Sequence, residues 1–170
     1  GQYIFTTSII DIFGRTYDAY PENFYVSTFP ATSPDVMLFQ IPDPKFNPPA
    51  LSLNTGALPK WETIHRVSAN LDQGVQATTH NLQHLNTQLD QNMLLFSVVK
   101  PDLSCPPGTS GSPIVDKNGS VVGVVSGPIS EDITKDHAVI LGIEDAYIGK
   151  KFAYCIATSA SLIQGLIRNP

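Results

Sequence analysis

The chain has 170 residues and 42% hydrophobic content, enough for one domain with a real core. Ten Lys+Arg against fifteen Asp+Glu give a net charge of -5, with no basic stretch that could track phosphates, so nucleic acid is not an expected partner. No run of about 18 apolar residues is present to span a membrane, so no membrane partner is expected either; the lack of a basic-then-apolar leader says little, since the chain reads as starting inside a domain.

Fourteen prolines and twelve glycines punctuate short runs of Val, Ile, Thr, Tyr and Phe, the texture of a many-stranded β protein. In chain order, strands are expected at residues 3–10, 24–29 and 36–41. Residues 42–60 follow with five prolines, at positions 42, 44, 48, 49 and 59, and read as an extended crossover between two halves. Further strands are expected at 63–67, 74–79, 93–99, 112–115, 121–125, 138–143 and 152–157. Asn118-Gly119-Ser120 is formally a glycosylation sequon, but Asn-Gly between apolar runs is the stronger hairpin signal and is read as a turn. Leu162, Ile163, Leu166 and Ile167 share one face at helical spacing after Thr158-Ser159, which predicts a short terminal helix. Such spacing argues for an antiparallel barrel or sandwich rather than βαβ units. One domain over 1–170 is expected: 1–41 as a partial first barrel, 42–60 as crossover, 61–157 as second barrel and 158–168 as terminal helix.

The segment richest in chemistry is Gly108-Thr109-Ser110-Gly111-Ser112-Pro113, which leads into a strand, a turn at Lys117-Asn118-Gly119, and a returning strand. Acyl transfer needs a serine hydroxyl on a tight loop, with backbone N–H groups converging where the oxyanion forms. Gly108 permits the backbone to aim those donors, and Gly111 leaves the space beside the hydroxyl open. The alternative is that glycine and serine merely build an approach to a hairpin.

The full string from Cys105 to Gly127 resembles the trypsin-like (chymotrypsin-fold) serine peptidases, including small viral and HtrA-type members. The resemblance implies an all-β fold, a double antiparallel β-barrel with a short C-terminal helix. On it, Ser110 matches the nucleophile, the N–H groups of Gly108 and Ser110 match the oxyanion hole, and Ser126 and Gly127 match the strand lining the substrate cleft. Ser104, with Leu103 and Cys105, falls at the expected pocket floor, opposite Gly127-Pro128. No acidic residue stands there, so a small or apolar side chain is the default substrate feature. Ser33-Pro34-Asp35, followed by apolar Val36–Ile41, resembles the triad-aspartate segment and lies 75 residues before Ser110; Asp after Ser-Pro is also a routine turn residue.

The family order is His, Asp, Ser, yet no histidine precedes Asp35. Residues 3–10 resemble the strand that runs into the catalytic histidine, and in that register Ile9 takes the base position. An isoleucine cannot accept a proton. The resulting reading is an inactive pseudoprotease, a binding or scaffold module with a protein or peptide ligand in its cleft. The alternative is an active endopeptidase whose histidine lies in a segment upstream of Gly1 or in a partner chain. That alternative draws on the strand count: residues 1–41 supply too few strands for a closed barrel, so the first barrel is expected to be incomplete at its N-terminus and closed by an N-terminal segment or a partner chain. A third reading has a later histidine swing in: His65 falls in the first part of the expected second barrel, and His137 lies in a polar loop after Ser126, at the border of the specificity pocket, where the plain reading is a solvated side chain. His80 and His84 have the spacing of one helical turn but lack a third ligand. No metal and no cofactor is implied. Cys105 and Cys155 read as two buried free thiols, with one disulfide as the alternative.

Overall fold

The computed structural model describes residues 7–10, 14–26, 35–59, 62–70, 74–83, 93–98, 108–128 and 154–168. Among these the chain forms β1 (Thr7–Ile10), β2 (Thr16–Val26), β3 (Asp35–Gln40), β4 (Thr63–Asn70), β5 (Gly74–Gln83), β6 (Met93–Val98), β7 (Pro113–Val115), β8 (Val121–Pro128), β9 (Tyr154–Ser159) and α1 (Ala160–Arg168). Strand β2 begins well before residue 24, because Tyr17 and Ala19 alternate with Asp18 and Tyr20 and so present one buried face. The expected strand at 138–143 lies outside the described residues.

Strands β1, β2 and β3 make a three-stranded antiparallel sheet in that order. The ladder between β2 and β3 shifts register between Pro21 and Asn23, where proline has no N–H to donate. Register puts Phe39 opposite Pro21, on the same face as Tyr17 and Ala19. That face is covered at one end, where Tyr17 meets the Phe46 ring edge-on at 4.9 Å. At the other end Phe39 remains 40% and Met37 46% exposed.

The second half closes. Strands β4-β5-β6-β9-β8-β7 form a continuous antiparallel barrel. Its core holds Ile64, Ile114, Val122, Val125, Cys155 and Ala157, with Leu58 of the crossover packed against them. Arg66 is also buried in β4 and reaches Thr78 Oγ1 at 3.5 Å; burial pulls its guanidinium below the ordinary pKa. The fold is therefore all-β with a chymotrypsin-like second barrel and a single described helix, and the described strands of the first half form an open sheet.

Between β3 and β4 the crossover forms one isolated parallel bridge, Leu53 with Val121, flanked by Asn54 N–H to Val121 O and Val121 N–H to Ser52 O, both at 2.8 Å. Helix α1 starts where Ser159 Oγ accepts the Leu162 N–H at 3.3 Å, a side-chain cap on the third helical residue. It buries Ala160 and Ile163 and touches β2, β3, β8 and β9, so it spans the seam between the halves.

The expectation of two free thiols does not hold. Cys155 is disulfide-bonded, and the one other cysteine in the sequence is Cys105, which lies outside the described residues. Spacing along a chain says nothing about which sulfurs meet in space, so the sequence left both readings open.

Candidate active site

Ser110 is exposed on a turn that precedes β7. The turn is closed by Ser112 N–H to Thr109 O at 3.1 Å, with Ser110 and Gly111 as its central residues. Gly111 has φ 83°, the value a type II turn requires at its third position. A Cβ added there would meet nothing within 4 Å, so glycine serves the backbone conformation rather than clearance beside the hydroxyl. Gly108 has φ 86° and the same open surroundings.

Two further bonds stitch this turn to β8: Gly111 N–H to Val125 O at 2.8 Å and Val125 N–H to Ser112 O at 2.9 Å. The N–H groups of Gly111 and Ser112 are thus consumed. Those of Gly108 and Ser110 have no acceptor among the described residues. Thr109 and Ser112 are buried on either side, which anchors the turn while leaving Ser110 at the surface.

The Ser110 hydroxyl donates to the carbonyl of Ser126 at 3.2 Å. Ser126 is the extra residue of a β-bulge: Val125 pairs with Ala157 and Gly127 with Ile156, leaving Ser126 without a partner on β9. A bulge turns a residue out of the ladder, and here it swings the Ser126 carbonyl toward the turn. Ser126 Oγ in turn lies 3.2 Å from Thr158 Oγ1 of β9. Neither the bulge nor Thr158 is visible in the sequence; Gly127 in mid-strand is the one local hint.

Behind the site, Asp116 pins the hairpin from β7 to β8. Its Oδ1 accepts the N–H groups of Asn118 at 2.8 Å and Ser120 at 3.0 Å, and its Oδ2 accepts Asn54 Nδ2 at 2.9 Å. Burial pushes this carboxyl up, but the bonds from Asn54, Ser120 and Asn118 and the charge of Lys117 outweigh it and hold the pKa below the ordinary value. The Asn118-Gly119 turn is therefore locked from inside and tied to the crossover, a role for Asp116 that sequence reading missed.

The other expected site residues stand on strands or lie outside the described residues. Asp35 opens β3, paired with Val26, and its strand touches β8; its side chain is outside what the structure describes. Ile9 sits in mid-β1 opposite Tyr17, half-buried. Gly127 is half-buried in β8. Ser104, Leu103, Cys105, His84 and His137 lie outside the described residues. His65 is on β4, its Nδ1 3.2 Å from Thr79 Oγ1, and His80 is on β5, so the helical spacing of His80 with His84 does not apply.

The sequence profile of the trypsin-like peptidase domain matches residues 7–124, from β1 through most of the hairpin behind Ser110. The chain belongs to the trypsin-like peptidase family. Solved structures of such peptidases share the fold. The Rv3671c protease of M. tuberculosis, in an inactive serine-to-alanine mutant form, matches 91% of this chain at 16% identity and TM-score 0.55. Its active form matches 91% at 17% identity and TM-score 0.56. The HtrA-type protease AlgW with a tripeptide matches 96% at 15% identity and TM-score 0.61. This trypsin-like chain spans 65%, 59% and 46% of the lengths of those three. No curated protein matches the sequence.

Proposed function

We propose that this domain is the nucleophile-bearing part of a serine endopeptidase, with Ser110 as nucleophile, Asp35 as the carboxylate that orients the base, and the imidazole supplied from outside residues 1–170. The observation that carries this reading is the asymmetry of the two halves. Among the described residues the Ser110 half is a closed barrel with a formed turn, whereas the half that carries Asp35 is a three-stranded sheet whose apolar face leaves Met37 and Phe39 exposed. An open sheet edge and an uncovered apolar face call for further strands, of this chain or of a partner. In this family the base precedes the aspartate, so those strands are where an imidazole would come from.

In the reaction, the Ser110 Oγ attacks the acyl carbon while its proton passes to the imidazole, and the peptide carbonyl becomes an oxyanion. Among the described residues the N–H groups of Gly108 and Ser110 meet no acceptor, which supports an oxyanion-hole role. Asp35 would hold the imidazole in the tautomer that accepts the proton. A peptide laid along the Ser126–Gly127 strand is the substrate this reading favours.

A second reading, an inactive binding module, is favoured by the hydroxyl bond to the Ser126 carbonyl. A peptide carbonyl accepts a hydrogen bond but is far too weak a base to remove the proton. A fluorophosphonate probe separates the two. Covalent labelling of Ser110 in the full-length protein, absent in Ser110→Ala and in residues 1–170 alone, is the expected result. An unlabelled full-length protein overturns the enzyme reading, and labelling of residues 1–170 alone overturns the external base.

A further inference from the structure

We infer that Thr158 is a positioning residue for Ser110, acting through the Ser126 bulge; this rests on Ser110 being the reactive group proposed above. Three hydroxyl-bearing residues from three separate elements form one relay. Thr158 on β9 is fully buried, its Oγ1 3.2 Å from Ser126 Oγ on β8, and the Ser126 carbonyl accepts the Ser110 hydroxyl at 3.2 Å.

The middle member is the one that needs fixing. Ladder residues on either side of Ser126 are held by their Cα partners on β9, while Ser126 has none. Its orientation is set by its neighbours in the chain and by the bond to Thr158, which anchors a surface-facing carbonyl to the barrel interior. Without that bond the bulged peptide can turn, and the acceptor that holds Ser110 turns with it.

An exposed serine otherwise samples three staggered χ1 rotamers. The bond to Ser126 selects one and keeps Oγ on the β8 side of its turn. The hydroxyl proton rotates about the Cβ–Oγ bond without moving Oγ, so it can leave the carbonyl for a base while the oxygen stays placed. Packing alone does not call for threonine at 158, because valine has the same shape and suits a buried strand position at least as well.

The test compares Thr158→Val, which removes the hydroxyl, with Thr158→Ser, which keeps it, in the full-length protein. Fluorophosphonate inactivation should slow roughly fivefold in Thr158→Val, the worth of one neutral hydrogen bond, and stay near wild type in Thr158→Ser. The pH dependence should keep its midpoint with a lower plateau, since the base is unchanged. Wild-type rates in Thr158→Val, or an equal loss in Thr158→Ser, overturn the inference. Should wild-type protein prove inert to the probe, the nucleophile reading fails by itself, and crystal structures still decide the positioning. One Ser110 rotamer in wild type and several in Thr158→Val support it, whereas the same single rotamer in both overturns it.

Discussion

The C-terminal half closes six strands on one another, so each has two neighbours and the core residues Ile64, Ile114, Val122 and Ala157 lose nearly all contact with water. In the N-terminal half, β1 and β3 each have one neighbour among the described strands, and apolar side chains on the Tyr17 face stay half in solvent. Closure therefore makes the Ser110 turn self-sufficient, because the bonds that shape it run within the turn or to β8 of the same barrel. The aspartate strand has no comparable frame of its own.

Five substitutions would break or sharpen this contrast. Removing the nucleophile should have the largest chemical effect: Ser110→Ala is expected to lower peptidase activity by at least roughly 10³-fold with no change in thermal midpoint, as followed by peptide cleavage and calorimetry. In the closed barrel, Ile114→Ala should cost about 2–5 kcal/mol, read from urea midpoints, because Ile114 is wholly buried. A cost under about 1 kcal/mol would mean that the barrel is looser than its ladder implies.

Loss of the hairpin lock comes next. Asp116→Ala should cost about 2–4 kcal/mol, since it strips a buried carboxylate from two backbone donors and Asn54. Its pKa is lowered in the folded state, so its stabilisation is complete above the unfolded value of about 3.9 and is lost as the pH falls through the lower folded value. Thermal midpoints measured from neutral to strongly acid pH should fall less steeply in Asp116→Ala than in wild type. Gly111→Ala should cost about 1–2 kcal/mol for holding a Cβ at φ 83°. The smallest effect is the most diagnostic of the open half. Phe39→Ala should change the stability of residues 1–170 by no more than about 0.5 kcal/mol, but lower that of the full-length protein by more than about 1 kcal/mol if further strands cover that face. Equal small effects in both would remove the case for a completed first barrel.

Much of this was legible before any coordinates. The tight turn at Ser110, the Asn118-Gly119 hairpin and the Ser159 cap are all readable because each depends on residues within four positions of one another. Strand β2 starts earlier than expected because its N-terminal part alternates Tyr17 and Ala19 with Asp18 and Tyr20 ahead of a proline, a weaker signal than the apolar run at Phe24–Val26. The free-thiol reading failed because disulfide pairing depends on which distant strands become neighbours.

Sequence alone determined the features whose energetics are local: left-handed glycines at a turn, an Asn-Gly reversal, a serine before an apolar helix face, and a proline-rich crossover between two strand-rich stretches. Only tertiary structure decided that Ser126 bulges toward Ser110, that Thr158 stands behind it, that Asp116 reaches Asn54 across 62 residues, and that among the described strands one half closes while the other stays open. Those outcomes follow from strand partnership and register, which pair residues far apart in the chain. Backbone ladders accept almost any side chain, so the choice of partner leaves little trace in local residue patterns.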